Sequence, residues 1–434
     1  MTDNSVEKNT EKVNQQNIPK LRFKEFEGEW KLTQLKDLSK IQRGASPRPI
    51  NDKKWYDNEN GKVGWVRIGD VTNSSKYLTE TEDYFSEEGI KKSRFLPKGS
   101  LIMSICATIG KPIVTDIDTC IHDGFVGFSN LKNVHKEFLY YYLNILEPKF
   151  MSLSQTGSQA NLNSDLVRIS KIGVPSLKEQ EKIINFLSEV DTKIKLLNKK
   201  LDTQISFKKN LFQNIFAQKL RFDGFNEEWK KTYLKDIGTF YRGHSYNSSN
   251  VVNEGLLVLR SNNIQNNTLN FDEDELQFVN KDCKPELNLL DGDIVICMSN
   301  GTKSLVGKSA QYNGNYNSKL TVGAFCSIFR SDFPLAPYIF QSELYKKYSY
   351  LLLAGTNINN LKNSDLEKLS LYIPSLEEQE KIANFLSSVD QKIDLLKDQI
   401  SQMEDFKRGL LQSLFVKIIE RIKNIFLYVR LIIN

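Results

Sequence analysis

The chain is written twice. Residues 20–44, KLRFKEFEGEWKLTQLKDLSKIQRG, align with residues 219–243, KLRFDGFNEEWKKTYLKDIGTFYRG, at an offset of 199, with 14 of 25 positions identical. A second block, PSLKEQEKIINFLSEVDTKIKLL at 175–197, aligns with PSLEEQEKIANFLSSVDQKIDLL at 374–396 at the same offset, with 18 of 23 identical. Self-similarity at a fixed offset marks a structural unit used more than once. Between these blocks the halves differ almost everywhere, yet the offset is restored. Two domains of nearly equal size are therefore expected to carry different surfaces on one framework. Fainter echoes survive in the divergent parts. Val66-Arg67-Ile68-Gly69-Asp70-Val71 resembles Leu259-Arg260-Ser261-Asn262-Asn263-Ile264, and KGSLIMS (98–104) resembles DGDIVIC (291–297). Both read as a turn joined to a short strand. TGSQANLNSDL (156–166) likewise matches AGTNINNLKNSDL (354–366), with two residues inserted.

Each PSL…LL block opens with Pro and Ser before an acidic first turn and then runs for six turns or more without Gly or Pro, which predicts a long helix. The apolar positions Ile183, Leu187, Val190, Ile194, Leu197 and Leu201 alternate steps of four and three, as do Ile382, Leu386, Val389, Ile393, Leu396, Ile400 and Met403. That spacing is the a/d seam of a coiled coil. A first helix from about Leu177 to Ala217 would extend roughly 60 Å. Two such helices, each following its own domain, would bury their stripes against each other, most simply antiparallel. They would then act as a spacer.

The tools of an enzyme are missing. GTKSLVGKS (301–309) has five residues between Gly301 and Gly307 where a phosphate loop needs four, and its Val306-Gly307-Lys308 core has a counterpart in Ile109-Gly110-Lys111, so it reads as domain framework. No two prolines are adjacent, which excludes the Asp/Asn-Pro-Pro-aromatic motif of an amino-methylating methyltransferase, and GxGxxG is absent. Only His122, His135 and His244 are available for histidine chemistry. Carboxylate-x-lysine triplets such as Asp191-Thr192-Lys193 and Asp390-Gln391-Lys392 fall on the heptad helices and read as solvated helix faces. The five cysteines are scattered and never spaced as CxxC, so neither a disulfide framework nor a zinc site is encoded, and a reducing, cytoplasmic setting fits.

Binding chemistry is present. The chain of 434 residues is 40% hydrophobic, enough for two or three packed domains, and carries a formal net charge of +6, which permits a nucleic-acid partner. Arg grips guanine in a bidentate way and Asn adenine, whereas Lys and Ser more often meet phosphate. The candidate DNA readers in the first half are Arg43, Ser46, Lys53, Lys54, Arg67, Arg94, Ser158 and Gln159. In the second half they are Arg242, His244, Asn247, Arg260, Asn262, Asn263 and Asn357. Residues 1–19 read as a disordered leader without a signal sequence. The greasy stretch 416–434 is interrupted by Lys417, Glu420, Arg421, Lys423 and Arg430, so it reads as an amphipathic tail and no membrane span is expected.

The doubled LRF…F…EW…LKD opening, the two PSLxEQEKIxxFLSxVDxKIxLL helices and the variable stretch between them resemble the specificity subunit of a type I restriction-modification system, from Lys20 to about Phe415. The resemblance implies a mixed α+β fold within the broad α/β class: two target recognition domains, 20–174 and 219–373, joined by helices at 175–218 and 374–415 that form an antiparallel coiled coil with pseudo-two-fold symmetry. It further implies a non-catalytic subunit that reads a split, asymmetric sequence of double-stranded DNA. Such a subunit docks two modification subunits and recruits restriction subunits. The chain itself would bind no cofactor; the complex would use S-adenosylmethionine, ATP and Mg. The reading from another class is an adaptor whose two domains bind protein or small ligands on a coiled-coil scaffold.

Overall fold

The computed structural model describes residues 17–154, 161–354 and 359–416. It divides into two compact units, one made of residues 1–197 with 399–434, the other of residues 198–398. The sequence suggested boundaries where the long helices begin and end. In the structure each long helix contributes one half to each unit, its apolar stripe packing into the first core at one end and the second at the other.

Each unit repeats one plan. In the first, strand Lys31–Gln34 pairs antiparallel with Lys171–Val174. A five-stranded sheet follows in the order Lys40–Arg43, Phe125–Ser129, Leu101–Ser104, Pro112–Thr115, Tyr77–Leu78, and a four-stranded sheet in the order Asp83–Phe85, Val63–Val66, Thr119–Ile121, Arg94–Leu96. In the second unit Lys230–Tyr233 pairs with Ser370–Ile373. It has two four-stranded sheets: the one with longer strands, its larger sheet, runs Thr239–Arg242, Cys326–Arg330, Ile294–Cys297, Ser309–Gln311, and the smaller runs Val251–Val252, Phe278–Val279, Leu256–Leu259, Leu320–Val322. The central strands LIMS and IVIC are buried along their whole length, which is why they read as unbroken apolar runs rather than alternating ones. In both smaller sheets the strand bearing the Val66 or Leu259 echo pairs in parallel with the one at Thr119–Ile121 or Leu320–Val322.

The Arg-Gly dipeptide shared by both copies carries the chain from the larger sheet to the smaller. Gly44 donates its N–H to the Phe125 carbonyl and Ala45 to that of Ile121; Gly243 donates to Cys326 and His244 to Val322. A Cβ at Gly44 would lie 2.0 Å from the His122 carbonyl oxygen, and one at Gly243 would lie 2.1 Å from that of Gly323. No other residue fits so close a backbone approach. The Gly110 and Gly307 turns also match: both take positive φ, 89° and 88°, and the following lysines donate to carbonyls, Lys111 to Thr72 and Lys308 to Ile264. The VGK core is thus framework, as its duplication implied.

The repeated blocks meet in three dimensions. Arg22 holds Glu179 through two hydrogen bonds of 2.8 and 2.9 Å, and the Trp30 indole donates to the same carboxylate at 3.1 Å. Arg221, Glu378 and Trp229 repeat this at 3.0, 2.7 and 3.2 Å. Gln180 and Gln379 each turn back to cap the preceding proline carbonyl, of Pro175 and Pro374, at 3.0 and 2.8 Å. Phe23 and Phe222 stack edge-on against Phe186 and Phe385. The opening segment is therefore clamped onto the first turns of the long helix. Glu179 is 2% exposed, so Glu179→Ala strips the Arg22 guanidinium of its buried counter-charge, leaving it the Glu27 and Gly28 carbonyls, and leaves the Trp30 indole N–H without its acceptor. The expected cost is about 3 kcal/mol of unfolding free energy, read as a lowered urea midpoint.

The long helices are Leu177–Phe216 and Leu376–Leu414. In the first unit Ile183, Leu187 and Val190 are buried in one core with Leu410, Leu414 and Phe415, with Ile194 and Met403 at its edge. In the second, Leu211, Phe212 and Ile215 are buried with Ile382, Leu386, Val389 and Ile393, and Leu201 packs beside them. Leu197 and Leu396 are 9% and 5% exposed, and Ile400 is half-buried. Early residues of one helix thus meet late residues of the other. The register is marked by two ion pairs, Lys407 to Asp191 at 2.6 Å and Lys208 to Asp390 at 2.5 Å. Lys208 and Asp191 become Lys407 and Asp390 on adding the repeat offset of 199, so each bridge is the other's copy. The Tyr141 hydroxyl donates to Asp191 at 2.6 Å and that of Tyr338 to Asp390 at 3.3 Å, which ties each register pair to its own domain.

Candidate nucleic-acid interface

At one end of the sheets in each unit, the Arg-Gly turn, the cap after the Val66 or Leu259 strand and a three-residue turn between sheets come together. In the first unit that turn is His122-Asp123-Gly124. Arg43 donates from Nε to the Asp123 carbonyl at 2.6 Å, the Ser46 hydroxyl donates to the Asp123 carboxylate at 2.8 Å, and Arg48 lies 3.6 Å from it. Arg94 reaches the Arg43 carbonyl at 3.4 Å. Partial burial pushes the Asp123 carboxyl up, but the Ser46 hydroxyl, its own backbone, His122 and Arg48 outweigh that and hold it below the usual range. It stays an anion that organises cations around it. Burial pushes the His122 imidazole down, and its Nδ1 accepts from the Gly124 N–H at 2.8 Å, as a neutral ring does.

Beside this group lies an open pocket of about 450 Å³ lined by Asn51, Lys53, Tyr56, Asn58, Arg67 and Asp83. Arg67 is the N-cap residue of the short helix Ile68–Asn73, its backbone N–H held by the Asp70 carboxylate at 2.7 Å while its guanidinium bridges to Asp83. Its side chain remains 45% exposed. Lys53 is exposed, whereas Lys54 is engaged by Asp52 at 3.0 Å and lies over the Trp55 ring. Arg43, Ser46, Arg48, Lys53, Arg67 and Arg94 thus present a face rich in guanidinium groups. Ser158 and Gln159 lie outside the described residues.

The second unit uses the same backbone with different chemistry. Arg242 and Asn247 are exposed. No hydrogen bond or ion pair engages the Arg242 guanidinium among the described residues. Four of the sequence candidates in this unit are buried or engaged within the protein. His244 is only 7% exposed, because its backbone bridges to Gly323 at the junction of the two sheets. Burial and nearby Lys281 push its imidazole down. Asn263 is fully buried: its carbonyl oxygen accepts from the Arg260 N–H at 2.8 Å, and its amide donates to the Asn270 and Glu275 carbonyls at 3.2 and 3.3 Å. It is the counterpart of Asp70, a cap rather than a reader. Arg260 donates to the Glu275 carbonyl at 3.2 Å and keeps a buried Nε, and the Asn262 amide is held by the Glu275 carboxylate. Arg260, Asn262 and Asn263 are all held by the segment 270–275, which packs over the Leu259 cap. Asn357 lies outside the described residues. Next to it, the Asn359 amide donates to Gly301 at 3.0 Å and the Asn300 amide to Ser261 at 3.1 Å.

Sequence reasoning missed two members of these faces. Arg48 was hidden in a proline-flanked loop. Phe325, 69% exposed, sits in the turn of the second unit between sheets; an aromatic inside the small-residue run VGAFC was the available signal. Among the described residues no cluster of His, Cys, Asp and Glu could hold a metal ion, and no helix is long and apolar enough to cross a membrane.

Comparison with known proteins gives these faces a context. A family model described as the type I restriction modification DNA specificity domain matches residues 27–206 and again 226–405. The chain is 33% identical over 196 residues to the StySPI specificity subunit of Salmonella potsdam, a match covering 43% of this chain and 42% of that protein. It is 26% identical over 438 residues to the MjaVIII specificity subunit of Methanocaldococcus jannaschii, covering 93% and 97% of the two. In the first case the match spans less than half of the relative's length. Among solved structures, the type I system S subunit from M. genitalium superposes with a TM-score of 0.56 at 17% identity, covering 93% of this chain and 100% of that one, and so shares the fold.

Proposed function

Because this chain belongs to the type I restriction-modification DNA specificity family, we propose that it is the sequence-reading subunit of such a system, recognising two unlike short DNA sequences separated by a gap. The observation that carries this reading is the pair of equivalent loop clusters, one per unit, built on the same Arg-Gly turn and the same strand-end arginine but presenting different side chains. A duplicated frame with divergent tips reads two different things. Phosphate contacts from exposed lysines and arginines would set position, and the loop side chains would read base edges in the major groove.

The chain contributes recognition, and its partners contribute chemistry. Two modification subunits would bring S-adenosylmethionine and transfer its methyl group to adenine, and restriction subunits would use ATP and Mg to move and cleave DNA. The repeat supplies two equivalent docking frames, which matches two copies of one partner. The heptad helices would fix the gap between the half-sites.

The test is to co-express the chain with its modification subunit in a methylation-free host and map N6-methyladenine across the genome. One split motif, present only when both proteins are made, is the expected result. A stable complex that adds no methylation and binds no duplex in a salt-sensitive way would favour the adaptor reading instead.

A further inference from the structure

The three-residue turn between the two sheets differs between the units in a way that bears on what each reads. In the first unit, strand Thr119–Ile121 leads through His122-Asp123-Gly124 into strand Phe125–Ser129. In the second, Leu320–Val322 leads through Gly323-Ala324-Phe325 into Cys326–Arg330. Phe325 therefore occupies the position of Gly124. At Gly124 a Cβ would fall 2.3 Å from both the Cys106 sulfur and the His122 ring, so that position is closed to any side chain. The second unit opens it and places there a phenyl ring that is 69% exposed, the most exposed of the large apolar side chains among the described residues.

The backbone beneath this ring is fixed. The Cys326 N–H closes the turn onto the Gly323 carbonyl at 2.8 Å, and the Phe325 carbonyl accepts from Met298 at 2.8 Å and Ser299 at 3.1 Å. The loop meeting it there, Ser299-Asn300, is itself pinned to Asn359 and Ser261. Across the junction lie the Arg-Gly turn and the unengaged Arg242. The acidic organiser of the first unit is missing, since Ala324 stands where Asp123 does. A fixed turn that exposes an aromatic ring, leading into a strand whose first residues pair with the Arg242-Gly243 turn, is suited to an apolar contact within a charged groove. In the major groove of a duplex the one apolar group on a base edge is the thymine C5 methyl.

Resting on the functional reading above, we propose that Phe325 is a specificity residue of the second domain that reads the C5 methyl group of a thymine in its half-site. The first domain, with glycine at that position and Arg43, Arg67 and Arg94 around it, reads its half-site through guanidinium contacts and makes no equivalent methyl contact.

The methylated motif gives the target, and duplexes carrying it are then made with each thymine replaced in turn by deoxyuridine, which removes only the methyl. Binding is measured with the assembled complex of full chain and modification subunit. One uracil, in one half-site, should weaken binding by about fourfold, the share of a buried methyl group. Phe325→Ala should lower affinity for the parent duplex by a similar factor and be indifferent to that uracil, whereas Phe325→Leu should keep part of the penalty. Equal assembly of the variants with the modification subunit controls for folding. A flat uracil scan, or the same uracil penalty in Phe325→Ala, overturns the proposal while leaving the functional reading intact. So does a Phe325→Ala defect that is uniform across all sequences, which would mark a base-step wedge, or one confined to assembly, which would mark a protein contact. A complex with no sequence preference on duplex DNA overturns both.

Discussion

Arg67→Ala is expected to relax the preference at one position of one half-site by roughly tenfold to a hundredfold, leaving the other half-site unchanged. The argument rests on what holds the residue. Its backbone is fixed by the Asp70 carboxylate, whether or not the guanidinium is present, and Asp83 keeps its hydrogen bond from Asn58. Truncation therefore removes a half-exposed group from the face while the strand-end cap stays, although the buried Asp83 Oδ2 loses its ion pair. Arg260 occupies the same place in the other copy, but its guanidinium is half-buried and braces the Glu275 carbonyl. Arg260→Ala should accordingly lower the stability of the second domain and reduce methylation without changing the motif. Motif mapping of both variants separates the two cases, and an unaltered motif with Arg67→Ala would count against a base contact there.

The second large effect concerns the gap. Adding one heptad after Lys199 and one after Asp398 preserves both seams and the two copied ion pairs, and lengthens each helix by about 10 Å. At about 3.4 Å per base pair that corresponds to up to three base pairs. Methylation of the parental motif should be lost, because both half-sites can no longer be engaged in register. Any motif that replaces it should keep both half-sites and carry a longer gap. A single inserted heptad, in one helix alone, breaks the register pairs and should prevent assembly. Retention of the parental gap after the double insertion would show that the helices do not set it.

Much of this architecture was legible because it was duplicated. Arg22, Trp30, Glu179 and Gln180 are ordinary residues in one copy; their recurrence at 221, 229, 378 and 379 marked them, and the structure gives the reason, a buried carboxylate clamp. The a/d steps were readable because burial imposes a period on a helix. The faces were less legible. An asparagine that caps a strand end and one that faces a base carry the same sequence signal, and only burial separates Asn263 from an exposed reader. The cut of both compact units through the middle of the helices was also hidden, since a continuous heptad gives no sign of which domain each half joins. Phe325 lies where the copies diverge, and no repeat mate pointed to it.

The core of the first unit is closed by Phe415, which is 2% exposed and packs against Trp30, Phe138 and Tyr142. The second compact unit ends at residue 398. During synthesis, then, the domain begun first is finished last: its waiting period while residues 198–398 emerge is roughly 10–40 s at ordinary translation rates. Throughout that interval Trp30, Phe138 and Tyr142 lack the ring that covers them in the finished fold. A ribosome that stops short of Phe415 would release a chain whose second unit is whole and whose first lacks the ring that closes its core.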